Sequence, residues 1–322
     1  MERSQSSPIE IRGLSKTYRI GFWFAQKVHA LKGFDLTVGA GQVFGLLGPN
    51  GAGKSTTIKI LMDLVRPSAG CARLFGHRPN SPHARRHVGF LPENPAPYDY
   101  LTGTEFVTLG GQLAGMTGLD LRKRVTQVID EVEMTRAASM QIRRYSKGMV
   151  QRIALAQAIV ARPKLLILDE PTSGLDPVGR RQMRDLILRE RDQGTTVLFC
   201  THIIPDVEAL CDRVAVLVAG NLVQEGSVRE LVTSKIPLVE LGLENVGREN
   251  LADFGLSNIT VQEIGDRLSV RTNDTDAQVL LRKVLETGGR VTHVQPVRFS
   301  LEDLFMEAVT TAGHKSAGGD IE

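Results

Sequence analysis

Short apolar runs separated by segments of helical spacing mark the chain between residue 9 and about residue 230. The runs 43–47, 165–168 and 196–200 are apolar almost throughout, which is typical of strands buried on both faces of a parallel sheet. Segments 56–64 and 182–191 each follow one of these runs and have helical spacing. This alternation predicts an α/β fold built on a mainly parallel sheet.

Other segments predict a second layer of strands and a helical insert. Residues 9–18 alternate apolar and polar positions, which favours an edge strand. Further strand candidates are 30–38, 69–74, 88–91 and a hairpin of 214–218 with 222–223 across Gly220-Asn221. Residues 95–161 are mostly helical in pattern. We therefore expect the parallel sheet to carry an antiparallel β layer and a helical insert at about 95–161.

The pattern changes after residue 235, which predicts a second, smaller domain. Its strand candidates are 238–243, 260–264, 268–271 and 291–297, and its helix candidates are 276–287 and 301–310. Asn273 and Asp274 are cap candidates for the first of these helices. The order suggests β-α-β-β-α-β, a split βαβ layer. The predicted domains are a core of residues 1–235, a small α+β domain of residues 236–310 and a disordered tail of residues 311–322.

The strand at 43–47 and the helix after it enclose a loop that fits G-x-x-x-x-G-K-[ST], the phosphate-binding loop. Its glycines let the backbone curl so that successive N–H groups face phosphate oxygens, and the helix adds its positive end. Lys54 is expected to reach the β- and γ-phosphates of a nucleotide, and Ser55 to offer its hydroxyl to Mg²⁺. The predicted nucleotide contacts in this loop are Gly48, Pro49, Asn50, Gly51, Ala52, Gly53, Lys54, Ser55 and Thr56.

Two acids and a histidine follow the other two buried runs. Parallel strands deliver their last residues to one edge of a sheet, where ligands bind. Asp169 is expected to face the Mg²⁺ shell and Glu170 to polarise an attacking water. His202 ends the next run, where its imidazole could hydrogen-bond a γ-phosphate. Taken alone, these residues can also be interpreted as a solvated acidic turn and a surface histidine that take no part in catalysis.

Composition narrows the classes of function. Of 322 residues, 42% are apolar and 23% are charged, as in ordinary globular proteins. The net charge of +3 argues against a nucleic-acid partner, and the basic clusters 85–87 and 143–144 are expected to be solvated faces. Cys71, Cys200 and Cys211 show no metal spacing and are expected to be small buried residues in a reducing compartment.

Nothing in the sequence predicts direct insertion into a membrane. No stretch approaches the roughly 18 apolar residues of a spanning helix. Residues 1–8 are polar and lack the apolar core of a signal peptide. We therefore expect any contact with a membrane to be made through a partner.

Residues 145–152 read Tyr-Ser-Lys-Gly-Met-Val-Gln-Arg and carry a second anion site. Ser146 is a suitable N-cap for a helix that runs to about Ala161. Its hydroxyl, the Gly148 N–H and the helix dipole together favour an anion, and Lys147 adds a positive charge. Together with the phosphate loop, this segment resembles the nucleotide-binding subunits of ABC transporters, whose signature is Leu-Ser-Gly-Gly-Gln followed by Gln or Arg. This sequence departs from that signature at Tyr145, Lys147 and Met149. The altered version resembles the one in the branch that pairs with ABC-2 type membrane proteins.

The resemblance covers residues 9 to about 230 and implies roles for further residues. Tyr18 matches the aromatic residue that stacks on adenine. Asp176 ends the segment 173–176, which matches the loop that crosses the dimer interface. His202 matches the switch histidine. Glu93 stands where the family usually has a glutamine that serves metal and water, so the implied Mg²⁺ ligands are Ser55, Glu93 and Asp169.

By this resemblance the chain is an ATPase that binds ATP and Mg²⁺. Two copies would stack head to tail, so that each ATP lies between Lys54 of one copy and Ser146 of the other. Separate membrane permease subunits would convert closure and opening into substrate movement, in the export direction, with the chain held at the cytoplasmic face of the cell membrane.

Alternatives come from other classes of protein. ABC-type ATPases also act without membranes, but those usually carry two cassettes, zinc cysteines or long coiled coils, and this sequence has none of them. A P-loop kinase would explain neither the signature nor His202. The aromatic cluster Phe22-Trp23-Phe24 is left open between local packing beside the adenine site and contact with lipid or a partner.

Overall fold

The computed structural model describes residues 7–21, 26–233, 238–247, 251, 259–265, 267–297, 301–306 and 310. The aromatic cluster at 22–24, the predicted tail at 311–322 and residues 307–309 of the last predicted helix lie outside the described residues. The chain divides into two compact units, Met1–Val228 with Ala308–Glu322 and Arg229–Glu307.

The first unit is an α/β unit whose strands match most of the predicted ones. In chain order these are β1 (Ile9–Ile20), β2 (Gln26–Val38), β3 (Val43–Leu47), β4 (Ala69–Leu74), β5 (Val88–Leu91), β6 (Leu165–Asp169), β7 (Thr196–Thr201), β8 (Arg213–Val218) and β9 (Asn221–Ser227). The helices are α1 (Lys54–Leu61), α2 (Pro82–Arg85), α3 (Gly103–Leu113), α4 (Gly118–Glu131), α5 (Lys147–Ile159), α6 (Pro177–Asp192), α7 (Ile204–Leu210) and, across the unit boundary, α8 (Val228–Thr233).

Six strands form the central sheet, in the order β5-β6-β7-β3-β8-β9. The first five are parallel, and β9 returns antiparallel to β8 as the predicted hairpin. Every residue of β3, β6 and β7 is buried, which confirms that the apolar runs are central strands. Because these strands point the same way, the segments that follow them emerge at one edge of the sheet.

A second sheet, in the order β2-β1-β4, is antiparallel. The prediction that β1 is an edge strand is wrong, because β1 lies between β2 and β4. The alternation in its sequence indicates only that one face of the strand is buried, the face formed by Ile9, Ile11 and Leu14. A central strand of an antiparallel sheet can have this pattern as well as an edge strand.

The helical insert lies between β5 and β6 and consists of α3, α4 and α5 with two short 3₁₀ turns. Thr102 and Glu105 form a reciprocal capping box at the start of α3. Ser146 caps α5, as its sequence context predicts. Among the described residues no helix is long and apolar enough to cross a bilayer.

The second unit contains β10 (Leu238–Glu244), β11 (Thr260–Ile264), β12 (Arg267–Asn273), α9 (Asp274–Glu286) and β13 (Arg290–Val297). The strands form one antiparallel sheet in the order β11-β12-β10-β13, as expected for a split βαβ layer. Asn273 caps α9 by accepting the amide of Asp276 at 2.8 Å. This unit has its own apolar core, centred on Leu241, Val270 and Leu280.

The three cysteines differ in their surroundings. Cys200 and Cys211 are buried, as predicted, but Cys71 is exposed on β4, so the prediction is wrong for that residue. Only two of the six side chains of β4 are buried, and Cys71 stands on its open face. Burial raises the pKa of both Cys200 and Cys211, which keeps these thiols protonated and unreactive.

Candidate active site

The phosphate loop joins β3 to α1 in a conformation that only glycine allows at two points. Gly53 has φ +110° and immediately precedes α1. At Gly48 a Cβ atom would collide with the carbonyl oxygen of Leu217 on β8. Glycine is therefore required at both positions, at Gly53 by the backbone conformation and at Gly48 by the close approach of the neighbouring strand.

Lys54 is buried at the start of α1, with 6% of its surface exposed. Its Nζ donates to the carbonyl oxygens of Gly48 at 2.6 Å and Pro49 at 3.3 Å, and lies 3.6 Å from Oε1 of Glu170. The ammonium group thus stands over the loop, paired with the acid that follows β6, a strand separated from β3 by β7. Such a buried cation has its charge available to a phosphate that enters the loop.

Asp169 is the last residue of β6 and is buried, with one carboxylate oxygen, Oδ1, that has no hydrogen-bond partner in the described part of the chain. Burial, together with the nearby carboxylates of Glu170 and Glu93, raises the pKa of Asp169 to about 6, against the opposing effects of Lys54 and the Ser55 hydroxyl. The three predicted metal ligands, Ser55, Glu93 and Asp169, therefore lie close together.

The donor set fits Mg²⁺ held jointly with a nucleotide. Asp169 offers an unpartnered buried oxygen, Ser55 a hydroxyl beside it and Glu93 an exposed carboxylate. Among the described residues no group of three His, Cys, Asp or Glu side chains could hold a metal alone. Mg²⁺ usually takes one or two protein carboxylates plus phosphate oxygens and water, and Ser55 and Asp169 meet that requirement.

Glu170 follows Asp169 with φ +48°, a left-handed backbone conformation that is unusual for glutamate. Its Oε2 accepts a hydrogen bond from Oγ1 of Thr201 at 3.0 Å. Its Oε1 lies 2.8 Å from Nδ1 of His202. Because an ionised carboxylate can only accept, Nδ1 carries the proton, and in the neutral ring Nε2 is left as an acceptor.

The residues predicted for catalysis and metal binding therefore converge. Lys54, Ser55, Glu93, Asp169, Glu170 and His202 surround one region at the carboxyl edge of the sheet. His202 has about half of its side chain exposed, at 47%, whereas Glu170 is 7% exposed. A buried carboxylate can accept a proton from a water molecule, and a half-exposed imidazole beside it can hydrogen-bond an entering phosphate.

The signature residues form a second group. Ser146 accepts the amide of Met149 at 3.3 Å as the N-cap of α5. The side chain of Lys147 lies over Gly174, where a Cβ atom would overlap its ammonium group. Asp176, just after this contact, caps α6 by accepting the amide of Gly179 at 2.7 Å. Between the described residues, no hydrogen bond or ion pair links Ser146, Lys147, Gly148 or Asp176 to the phosphate loop.

Tyr18 stands apart from both groups, half-buried on β1. The ammonium group of Lys16 lies 5.0 Å from the centre of its ring, within the range of a cation–π contact. The adenine-stacking role of Tyr18 stays a prediction.

Two threonines around the site make polar contacts that were not predicted from the sequence. Thr201 holds Glu170 and also accepts the amide of Ile203 at 3.1 Å. Thr172, wholly buried, donates to Oδ2 of Asp206 at 2.6 Å and so ties the loop after β6 to α7. A threonine at the end of an apolar strand beside a predicted catalytic histidine was the available signal for Thr201.

Comparison with known proteins identifies the class. A family model described as ABC transporter matches residues 31–173, and one described as the C-terminal domain of DrrA1-3-like ATP-binding proteins matches residues 226–309. An uncharacterized ABC transporter ATP-binding protein of Nostoc sp. is 41% identical over 95% of this chain and 91% of that protein. The chain therefore belongs to the ATP-binding proteins of ABC transporters and is an ATPase of that family.

More specific similarities point to one branch of the family. The daunorubicin/doxorubicin resistance ATP-binding protein DrrA of Streptomyces peucetius is 35% identical over 98% of this chain and 95% of its own length. A solved ATP-binding subunit of an ABC transporter aligns with a TM-score of 0.62 and 30% identity, covering 71% of this chain and 93% of that one. These findings confirm the predicted resemblance and fold class.

A second solved structure is an ATP-binding cassette in a dimeric, post-hydrolysis state bound to ADP and Pi. It aligns with a TM-score of 0.62 and 26% identity, covering 68% of this chain and 98% of that one.

Proposed function

We propose that this chain is the ATP-hydrolysing subunit of an ABC exporter, in which two copies close around two ATP molecules and drive substrate movement through separate membrane subunits. The observation that carries the proposal is the convergence of Lys54, Asp169, Glu170 and His202 at one sheet edge, with the signature residues held in a separate group. Neither group is a complete ATP site by itself, so pairing of two copies completes each site.

In this proposal Glu170 is the general base. Thr201 and His202 hold its two carboxylate oxygens, which aims the group while leaving Oε1 near the Lys54 ammonium at 3.6 Å. Lys54 would leave its carbonyl partners for the phosphates when a nucleotide enters. Nε2 of His202, when it also carries a proton, would donate a hydrogen bond to the γ-phosphate. Base catalysis of this kind typically contributes about 10²–10⁴ in rate.

Magnesium, when bound with ATP, supplies a positive charge that offsets the developing charge on the phosphate oxygens. Ser55 and Asp169 would hold it, with Glu93 in the outer part of the site. A carboxylate at 93 in place of the usual glutamine adds negative charge near a triphosphate, and it also contributes to the raised pKa of Asp169.

The second copy supplies the other half of each site. Ser146 and Gly148, at the positive end of α5, would contact the γ-phosphate bound to the first copy. Lys147 adds a cation beside them. The dimeric state of the solved cassette that aligns with this chain supports the arrangement, and closed symmetric pairs are the commonest form of oligomer.

The proposals that the chain acts in export and binds membrane partners are based on the names of its relatives. DrrA is named for resistance to daunorubicin and doxorubicin, and a fluoroquinolones export ATP-binding protein of Mycobacterium tuberculosis is 38% identical over 78% of this chain and 82% of its own length. We therefore place the chain at the cytoplasmic face of the cell membrane, bound to permease subunits.

The test is to purify the full chain from its own cells in mild detergent, with the Lys54→Ala protein as a control for assembly without nucleotide binding. We expect an integral membrane protein to co-purify with the native chain. In parallel, the lysate is centrifuged through sucrose to follow ribosomes. Co-sedimentation with ribosomes and no membrane partner would replace the exporter with an ABC-type ATPase that works in solution.

A further inference from the structure

A cleft of about 510 Å³ opens on the first unit away from the phosphate loop. His87 lies just before β5, Lys164 just before β6 and Thr196 at the start of β7, and all three line the cleft. These are the amino ends of parallel strands whose carboxyl ends carry the catalytic residues, so the cleft lies at the opposite edge of the sheet.

The cleft is lined by cationic and titratable nitrogen groups. Its described lining contains His77, His83, Arg86, His87 and Lys164 and no aspartate or glutamate. Within the described part of the chain, neither Arg86 nor Lys164 has an acidic group at ion-pair distance. Burial lowers the pKa of His87, and the positive charges of Lys164 and Arg86, with His83, lower it further, as expected where positive charge is not neutralised.

Aromatic rings form another part of the surface of the cleft. The rings of His77 and His83 are stacked, with centroids 5.6 Å apart and an angle of 28° between planes. Phe75 meets His87 edge to face at 6.0 Å. Flat rings beside cations suit a ligand that combines an anionic group with a ring of its own.

Backbone hydrogen bonds fix the walls of the cleft. The carbonyl oxygen of His87 accepts the amides of Lys164 at 2.9 Å and Leu165 at 3.0 Å. Leu74 and His77 exchange backbone hydrogen bonds of 2.8 and 2.9 Å. Since the lining residues are attached to paired strands and a closed turn, the cleft is formed before any ligand arrives.

We propose that this cleft binds a small phosphorylated molecule that carries a flat ring. The guanidinium of Arg86 and the ammonium of Lys164 would hold the phosphate group, the histidine nitrogens would donate to its remaining oxygens, and the ring would lie against the His77–His83 pair. The volume is within the roughly 300–1,000 Å³ of ordinary ligand sites. The basic cluster 85–87, expected from the sequence to be a solvated face, thus contributes two lining residues.

Phenyl phosphate is the probe, titrated into the full chain while the ring resonances of its seven histidines are followed by NMR. The resonances are assigned with single His→Gln variants. We expect saturable shifts of His77, His83 and His87. His202 reports any binding at the phosphate loop separately, so the two sites are distinguished within one titration.

The decisive variant is Arg86→Gln combined with Lys164→Gln. Both side chains are exposed, so the fold is retained, which thermal unfolding verifies. We expect phenyl phosphate to bind this variant at least about tenfold more weakly. Arg78→Gln combined with Lys123→Gln, which removes the same two positive charges at exposed residues outside the described lining, is the matched control and should bind as the native chain does.

Three outcomes would overturn the proposal. The first is the absence of saturable shifts at the three histidines. The second is equal binding by the native chain and the double variant. The third concerns the source of the phosphate: if the native chain sediments with vesicles that contain phosphatidic acid, and the double variant does not, the cleft binds a lipid headgroup instead of a soluble ligand.

Discussion

Glu170 and His202 are joined by a hydrogen bond of 2.8 Å between Oε1 and Nδ1, across the ends of the neighbouring strands β6 and β7. The same oxygen lies 3.6 Å from the Lys54 ammonium. One carboxylate is therefore in contact with both Lys54 of the phosphate loop and His202.

Replacement of Glu170 by glutamine should keep ATP binding and remove most turnover, by about 10²–10⁴-fold, because the amide is not a base. The variant should form a stable dimer with ATP, since hydrolysis no longer opens the pair. Lys54→Ala should instead lose nucleotide binding and remain unpaired. Gel filtration of both proteins in Mg-ATP, with phosphate release measured alongside, separates these effects. Normal turnover by Glu170→Gln would refute the assignment of the base.

Thr201→Val should lower kcat roughly tenfold and leave ATP affinity nearly unchanged. Valine has the shape of threonine but removes the hydrogen bonds to Glu170 and to the amide of Ile203, so the base loses its orientation and not its charge. Thr195→Val, which also removes buried threonine contacts but at the other edge of the sheet, is the control. Equal kcat values for the two variants would show that Thr201 does not position the base.

Asp169 gives a pH-dependent stability with a defined sign. Its pKa is raised from 3.8 to about 6 in the folded chain, so between these pH values the folded state holds a proton that the unfolded state has lost. Stability contributed by this residue is therefore present at low pH and is lost as pH rises through about 6. Asp169→Asn cannot lose a proton, and should raise the melting temperature at pH 7.5 relative to the native chain more than it does at pH 5.

Thermal unfolding without nucleotide measures this difference. The same variant should lose Mg²⁺-dependent ATPase activity, because its amide oxygen is a weaker ligand than a carboxylate. A native chain whose melting temperature relative to the variant does not change between the two pH values would contradict the raised pKa.

The positions at which the apolar runs end made most of the candidate catalytic group predictable. Lys54, Asp169, Glu170 and His202 each follow a buried run or a motif of fixed spacing, and strand direction alone places them at one edge. The contacts of Lys147 with Gly174 and of Thr172 with Asp206 join segments far apart in sequence, so no local pattern announces them. The central position of β1 was missed for the same reason, since pairing on two sides depends on β4 as well as β2.

The segment between Glu93 and the helical insert should contact the membrane subunit. Tyr98 and Tyr100 are 56% and 62% exposed, and their ring centroids lie 5.8 Å apart; prolines at 95 and 97 keep the chain extended. Tyr98→Ala should uncouple transport and spare basal ATPase activity. Leu119→Ala, at an equally exposed apolar residue on α4, is the control. If crosslinks from this segment never reach a membrane protein, the prediction fails.

The second unit should influence assembly rather than chemistry. It has its own core, and every motif of the ATP site precedes it. Removal of residues 236–322 should leave nucleotide binding intact and change either the nucleotide-free oligomeric state or the ATPase rate. Leu301 and Leu304, on the last predicted helix, are buried, so the alternative is that their apolar side chains serve packing alone. Analytical ultracentrifugation decides: two monomeric proteins with equal ATPase rates would exclude both roles.

Because Cys71 is exposed and the other two cysteines are buried, chemical labelling of the native cysteines can report local opening of the fold. A thiol-reactive dye should modify only Cys71 in the folded protein, because Cys200 and Cys211 are buried and protonated. One fluorophore can therefore be placed on β4 without mutagenesis. Cys200 lies on β7 near the candidate active site, and Cys211 packs against β3 at Gly45. The rate at which these two thiols become labelled measures how often the catalytic sheet exposes its interior, with and without ATP.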